Sequence, residues 1–246
     1  FTGCEEPISW DDKRAGAYIL AAVTTKDESR MKIAEKYSDT IISQPKTKGG
    51  LWYSTTLSMW ASNRYAANGA SVIAIYANML PESDSKRKKY VDFVKSQIDY
   101  ILGDNPANVN YVVGAEDNSP KSVHHRGASG TYGAEDSCVP SENVYTLYGA
   151  LAGGPGSDDS YKDSRSNFQM NEVALDYNAG FTICLASLVH WGLGKSDGPQ
   201  KFERAWPFRA PKGDFKVEID KEGLKISSNS GLKCSGWCVS FKSDAK

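Results

Sequence analysis

The sequence predicts a fold that is almost wholly helical over residues 1–194 and is followed by a short β-rich tail. Three observations support this prediction. Four segments carry helix end signals or apolar residues at helical spacing, a long polar loop interrupts those segments, and strict apolar–polar alternation begins only at Phe215. At 246 residues the chain is long enough for one large domain or two small ones.

The first two helical segments have recognisable ends. Residues 31–43 follow Asp27 and Glu28, and acidic residues are favourable at a helix N-terminus. Residues 59–80 contain an alanine-rich stretch, which Pro81 ends because proline cannot continue a helix.

The other two segments each carry one apolar face. Residues 89–102 stop at Gly103, and the last segment stops at Gly192. The apolar faces consist of Val91, Val94, Ile98 and Ile101 in the third segment and of Phe181, Cys184, Leu185 and Leu188 in the fourth.

Between these helices lies a loop region, residues 105–167, that is rich in Gly, Ser, Asp, Asn and Pro. A loop this long inside a compact domain is usually functional or disordered. After residue 194 the composition changes. We expect a linker or packing arm at residues 195–214 and a β-rich segment at residues 215–246, which is either the start of an accessory module or a flap docked on the helices. Its alternating residues are Phe215, Val217 and Ile219, then Trp237, Val239 and Phe241.

The composition excludes several functional classes. A net charge of −1 gives no basis for binding nucleic acid, and no apolar run approaches the roughly 20 residues that span a membrane. The five cysteines include no Cys-x-x-Cys pair, which argues against a zinc ribbon. We predict that Cys184, which lies in an apolar run, is a buried free thiol.

Glu172 is the residue whose setting most suggests chemistry. It lies at a predicted helix start, with Asn171 as the candidate N-cap, so one interpretation is a first-turn acid favoured by the helix dipole. The other interpretation is functional. A carboxyl group in apolar surroundings keeps its proton to higher pH and can then donate it near neutral pH.

Two further groups of residues also allow either a structural or a functional interpretation. The His-His-Arg run at residues 124–126 is either a solvated turn or part of a site. Trp60 and Tyr65, on a polar stretch, are either core aromatics or a platform for a ligand.

Together these stretches resemble glycoside hydrolase family 9, the cellulases and related β-1,4-glucanases. The family's acid signature is matched by Tyr161, Asp163, Phe168, Glu172, Ala174, Asn178 and Ala179. Residues 112–126, which end in His-His-Arg, are similar to the second family signature, and residues 9–20 and 49–68 also resemble family stretches. The resemblance covers about residues 5–192.

The resemblance implies a fold and an activity. The fold would be the C-terminal portion of an (α/α)6 barrel, and the protein would be a secreted endo-β-1,4-glucanase that acts on cellulose or related β-glucans. Its binding partner would be a β-1,4-glucan polysaccharide or oligosaccharide, with no nucleic acid or membrane. The chemistry requires no cofactor. A structural calcium ion is an expectation for residues 156–163, whose sequence GSDDSYKD supplies acidic oxygens.

The resemblance also implies roles for individual residues. Glu172 matches the general acid that protonates the leaving oxygen, and Asp163 matches an aspartate that supports the site. His124 and Arg126 match residues that bind glucose hydroxyls around the cleavage point. The remaining matches are Tyr177, near the attacking water, and the cleft aromatics Trp60 and Tyr65, with Trp10 as a weaker candidate of the same kind.

The catalytic base is the part of the family pattern that this sequence lacks. Inverting enzymes need a second carboxylate about 6.5–9.5 Å across the sugar ring. The family takes it from an Asp-Ala-Gly-Asp stretch, which is absent here. We therefore expect a fragment that is inactive alone, with the base in a missing N-terminal half. The alternatives are that Asp163 or Asp176 acts as base, or that the protein binds glucans without cleaving them.

Overall fold

The computed structural model describes residues 6–130, 142–195, 215–220 and 223–228, and these parts contain seven helices and two strands. The helices are α1 (Arg14–Thr25), α2 (Glu28–Ser43), α3 (Ser62–Ala77), α4 (Ser85–Ile101), α5 (Arg126–Ser129), α6 (Phe168–Asn171) and α7 (Leu175–His190). The strands are β1 (Phe215–Asp220) and β2 (Gly223–Ser228).

Helix α3 is the centre of the packing. It contacts α1, α2, α4 and α7, and all of its residues except one are buried. Its sequence explains this position, because most of its residues are small or apolar and its long polar side chains Asn63, Arg64 and Asn68 bond to other parts of the protein.

The contact between α3 and α7 is especially close. A Cβ atom on Gly180 would lie 2.6 Å from the Cα atom of Asn68, so only glycine fits at this crossing. Asn68 also joins the two helices by hydrogen bonds: its Oδ1 atom accepts from the Gly180 N–H, and its Nδ2 atom donates to the Asp176 carbonyl.

The four predicted helices are present as α2, α3, α4 and α7, with different ends. Helices α2 and α4 begin earlier than expected because Asp27 and Asp84 act as N-caps, accepting hydrogen bonds from backbone N–H groups of the first turn. The sequence interpretation missed α1. Its buried residues Ala15, Ile19 and Ala22 have the i, i+4, i+7 spacing that could have revealed it. Cys184 is a buried free thiol, as predicted.

The described parts of the predicted long loop, residues 105–130 and 142–167, pack over one end of α3. Val113 donates to the Ala150 carbonyl and Ala152 donates to the Tyr111 carbonyl, so the two arms of the loop are paired. The Asn63 N–H, in the first turn of α3, donates to the Gly153 carbonyl. The last of these bonds attaches the loop to the most buried helix.

At the predicted strand residues Phe215, Val217 and Ile219 the structure has β1, which pairs antiparallel with β2, and the β-rich tail as a whole stays a prediction. Residues 237–241 and most of the predicted linker, residues 196–214, lie outside the described residues. The domain boundaries therefore stay predictions. In the described part of the chain, no helix is long and apolar enough to cross a membrane.

Candidate active site

Glu172 lies between two helices rather than at the start of one. It is the C-cap residue of α6, with an extended backbone (φ −62°, ψ 148°), and α7 begins only at Leu175. The predicted helix start with Asn171 as N-cap is therefore wrong. Two contacts explain the difference: the Asn171 side chain is hydrogen-bonded elsewhere, and Glu172 forms a parallel β-bridge with His124. The acidic residue in the first turn of α7 is Asp176.

The Glu172 carboxyl group is oriented by two donors that bind the same oxygen. The Oε2 atom accepts a hydrogen bond from Trp60 Nε1 at 2.7 Å and another from the Tyr177 hydroxyl at 2.6 Å. Among the described residues, nothing donates to the Oε1 atom. This arrangement leaves Oε1 as the oxygen that can carry a proton toward a ligand.

The two donors, Tyr177 and Trp60, differ in their exposure to solvent. Tyr177 is 1% exposed, and its burial, together with its bond to Glu172, raises the pKa of its hydroxyl, which therefore stays protonated as a donor. Trp60 is 40% exposed, so its indole can donate to Glu172 and still present part of its ring to a ligand. Of the two interpretations, Trp60 fits the ligand platform.

Tyr65 fits the other interpretation. It is buried in the core, and its ring lies 4.3 Å from the guanidinium carbon of Arg64. Burial raises the pKa of its hydroxyl. The same guanidinium lies 5.0 Å from the Tyr177 ring, so Tyr65 reaches the site only through Arg64.

His124 is held beside Glu172 through both its backbone and its ring. Its N–H donates to the Asn171 carbonyl at 2.8 Å, and its Nδ1 atom lies 2.8 Å from the Arg165 carbonyl oxygen. Because a carbonyl only accepts, Nδ1 carries the proton and donates. The ring packs edge-on against Phe168 at 5.9 Å. Its Nε2 atom is therefore the one that can meet a ligand.

Asp163 binds the backbone of the segment that precedes His124. Its two carboxylate oxygens accept from the backbone N–H groups of Lys121 and Ser122 at 2.8 and 3.0 Å. These bonds fix the segment that leads to His124. The residue keeps substantial solvent exposure, but desolvation of the carboxyl group raises its pKa, against the effect of the two N–H groups.

Neither Asp163 nor Asp176, the two candidate internal bases, is free to activate water beside Glu172. Both oxygens of Asp163 are already bound to the backbone. Asp176 lies in the first turn of α7, and its Oδ2 atom is 3.5 Å from Arg64 Nη1. Each is engaged with its own partner, so the geometry supports neither as the group that activates water.

Two other predicted ligand-binding residues are exposed. Arg126 is the exposed first residue of α5, and Trp10 is 71% exposed. No contact between described residues joins either of them to Glu172. Their roles in binding stay predictions.

The acids of residues 156–163 point to separate partners. Asp158 accepts from Ser160, Asp159 accepts from the Gly49 N–H and the Tyr100 hydroxyl, and Asp163 binds the backbone as described above. The described residues contain no group of three or more His, Cys, Asp or Glu side chains placed to hold a metal. These acids do not form one ligand set, and a structural calcium ion stays a prediction.

Sequence reasoning missed Arg64. It is a buried cation in α3 that donates to the Trp60 carbonyl at 3.3 Å and stacks on the rings of Tyr65 and Tyr177. It therefore contacts both residues that donate to Glu172. The available signal was a single arginine at the head of an alanine-rich, otherwise uncharged helix.

The chain is similar to known proteins of one enzyme family. The model of the family described as Glycosyl hydrolase family 9 matches residues 2–185. Endoglucanase B of Cellulomonas fimi is 38% identical over 225 residues, which are 85% of this chain and 21% of that protein. Endoglucanase A of Bacillus pumilus is 40% identical over 203 residues, which are 78% of this chain and 30% of that protein.

Solved structures give the same result. Endoglucanase CelQ from Clostridium thermocellum, complexed with cellobiose and cellotriose, superposes with a TM-score of 0.71 at 34% identity, covering 92% of this chain and 39% of that one. The endoglucanase of the termite Nasutitermes takasagoensis gives 0.67 at 36% identity, covering 78% and 43%.

The chain thus spans less than a third of these two curated relatives and about two fifths of these solved structures. The predicted fold class, part of an (α/α)6 barrel, is confirmed by its structural neighbours. From the family match and the shared fold we conclude that this chain belongs to glycoside hydrolase family 9.

Proposed function

We propose that this chain forms the acid side of the active site of a secreted endo-β-1,4-glucanase that cleaves cellulose or related β-glucans with inversion. One observation carries the proposal. The Glu172 carboxyl group is held by Trp60 and Tyr177, next to His124, with one oxygen left for a ligand. The names of the relatives support the reaction class, and the sugars bound to CelQ support an oligosaccharide ligand.

In this proposal Glu172 begins the reaction as the protonated acid. The proton on Oε1 passes to the glycosidic oxygen as the bond between that oxygen and the anomeric carbon breaks. Water attacks the same carbon from the opposite face and gives its proton to a carboxylate base. Glu172 ends as a carboxylate, and both groups recover their starting states by exchanging protons with solvent.

The other side chains would bind and orient the sugar. The exposed part of the Trp60 ring suits the flat C–H face of a glucose unit. His124 Nε2 and the Arg126 guanidinium suit its hydroxyl groups. Glucan chains are too large to enter cells readily, and this supports the proposed extracellular location.

The base would come from residues outside this chain. Asp163 and Asp176 are engaged with other partners, and no other described carboxylate contacts Glu172. The absence of a suitable base among the described residues also favours a second candidate function, a protein that binds β-glucan without cleaving it.

The stereochemistry of the product tests the proposal and separates the two candidates. The complete protein that carries this chain should release sugar from cellotetraose, and proton NMR should show the α-anomer first, because the β-bond is inverted. An initial β-anomer would contradict the mechanism. Tight binding of cellotetraose with no hydrolysis would establish the non-catalytic function instead.

A further inference from the structure

Asn171, the residue before Glu172, is completely buried although its side chain is polar. Its carboxamide has a partner for each hydrogen-bonding group. The Oδ1 atom accepts from the Tyr161 hydroxyl, and the Nδ2 atom donates to the carbonyls of Lys162 at 2.8 Å and Asn167 at 3.0 Å. A buried amide satisfied in this way holds one orientation, because any rotation leaves polar groups unpaired.

The backbone of Asn171 joins the same network. Its carbonyl accepts from the His124 N–H, and its N–H donates to the Asn167 carbonyl. Asn171 therefore connects three segments of the site: the stretch that contains Asp163, helix α6, and the stretch that ends at His124. Glu172 follows directly, with no flexible residue between.

Tyr161 is a rigid anchor for this amide. Burial raises the pKa of its hydroxyl well above the usual value, so the hydroxyl stays protonated and donates. Its ring meets Tyr111 edge-on at 5.0 Å, and Tyr111 stacks on Tyr100 at 6.4 Å. Tyr100 in turn donates to Asp159. The orientation of the Asn171 amide is thus fixed from the protein core.

We propose that Asn171 is a positioning residue for the general acid, and that the Tyr161 hydroxyl locks it. The pair would fix the backbone at Glu172 so that its carboxyl group meets Trp60 and Tyr177 and reaches the leaving oxygen. This inference rests on the function proposed above. It assigns no contact with substrate to Asn171 or Tyr161, and the proposed effect on bond cleavage passes through Glu172.

A positioning role makes a prediction that a purely structural role does not. A displaced acid slows bond cleavage most when the leaving group needs a proton. The loss of kcat should therefore be large on cellotetraose and small on dinitrophenyl β-cellobioside, whose leaving group departs as a stable anion. KM should change little. A protein that is merely less folded would lose the same fraction of activity on both substrates.

The sharpest variant is Tyr161→Phe, which removes one hydroxyl group and keeps the ring contact with Tyr111. In the complete protein we expect kcat on cellotetraose to fall about 10- to 100-fold, since small misplacements of a catalytic group have effects of this order. The loss on dinitrophenyl β-cellobioside should be only a few-fold. Asn171→Ala should show the same pattern more strongly, and thermal unfolding of both variants shows how much of each is folded.

Tyr90→Phe is the matched control. Tyr90 is fully buried whereas Tyr161 is partly buried, and the Tyr90 hydroxyl donates to Asp39 at 3.1 Å, on the side of α4 that faces α2. This variant should lose stability without any dependence on the leaving group. If Tyr161→Phe behaves like Tyr90→Phe on both substrates while Glu172→Gln is inactive on cellotetraose, the positioning role is wrong and the proposed function stands. If Glu172→Gln is as active as the parent, the proposed function fails and this inference fails with it.

Discussion

The indole nitrogen of Trp60 lies 2.7 Å from the Oε2 atom of Glu172, across 112 residues of sequence. The bond exists because the Trp60 carbonyl is held by Arg64 at the start of α3, while Glu172 is held by the loop that packs over that helix end. The hydrogen bond thus places an exposed aromatic ring next to an acidic side chain. This is the combination that a glucan-cleaving site needs.

Trp60→Phe should separate the two roles of this residue. The variant keeps an aromatic ring for the sugar but loses the hydrogen bond to Glu172. We expect kcat on cellotetraose to fall about 10-fold, which corresponds to one hydrogen bond to an ionisable group, with KM little changed. Steady-state kinetics on the complete protein measure both constants.

Trp191→Phe is its control, because Trp191 Nε1 donates to Asn78 at 2.6 Å, outside the site. An equal fall in kcat for both variants would show that the loss at Trp60 is not specific to the acid.

Arg64→Met should reduce stability. The substitution removes the guanidinium that stacks on Tyr65 and Tyr177 and leaves Asp176 without its cation. The Arg64 side chain is 8% exposed, so we expect a loss of about 2–4 kcal/mol in the free energy of unfolding, measured in urea. Arg14→Met breaks a surface pair with Asp12 and should cost less than about 1 kcal/mol. Similar losses for the two variants would contradict the role given to Arg64.

Asp163→Asn should change how stability depends on pH. Desolvation raises the folded-state pKa of Asp163 above its ordinary value of 3.8. For an acid with a raised pKa, the stabilising contribution is present below the unfolded pKa and is lost as pH rises through the folded pKa. The melting temperature of Asp163→Asn should therefore rise relative to the parent as pH increases from about 3.8. A difference that stays constant or falls with pH would refute this sign.

Residues 1–246 expressed alone should release no measurable sugar from soluble β-glucan. Within the described residues, the candidate bases Asp163 and Asp176 are bound to other groups, so water near Glu172 has no carboxylate to activate it. A reducing-sugar assay tests this directly. Sugar release that disappears in Glu172→Gln would mean that a base lies within this chain, and Asp163 would be the first residue to examine.

The sequence was sufficient to predict the helices that have one apolar face and one polar face. The apolar face of α4 and the buried residues Phe181, Cys184 and Leu188 of α7 follow directly from helical spacing. Helix α1 was missed because its apolar positions are mostly alanines, whose pattern is weak. The end of α6 at Asn171 could not be predicted, because it depends on hydrogen bonds to Tyr161 and His124, which are distant in sequence.

The site was predictable as a set of residue types but not as a geometry. The family signatures identified Glu172, His124 and Trp60, which the structure brings together. No sequence pattern could show that Arg64 joins the ring of the buried Tyr65 to the ring of Tyr177, because the contact with Tyr177 depends on how α3 packs against α7. Likewise, spacing alone could not show that Asp163 binds backbone N–H groups 41 and 42 residues away.

The central claim is that Glu172 donates the proton to the leaving group, and Glu172→Gln tests it most directly. The measurement is kcat of this variant in the complete protein on cellotetraose and on dinitrophenyl β-cellobioside, with the exposed loop substitution Glu82→Gln as control. We predict a fall of about 10²- to 10⁴-fold on cellotetraose, because an amide cannot supply the proton, and a much smaller fall on the activated substrate. Equal losses on the two substrates would contradict the account and make Glu172 a structural residue.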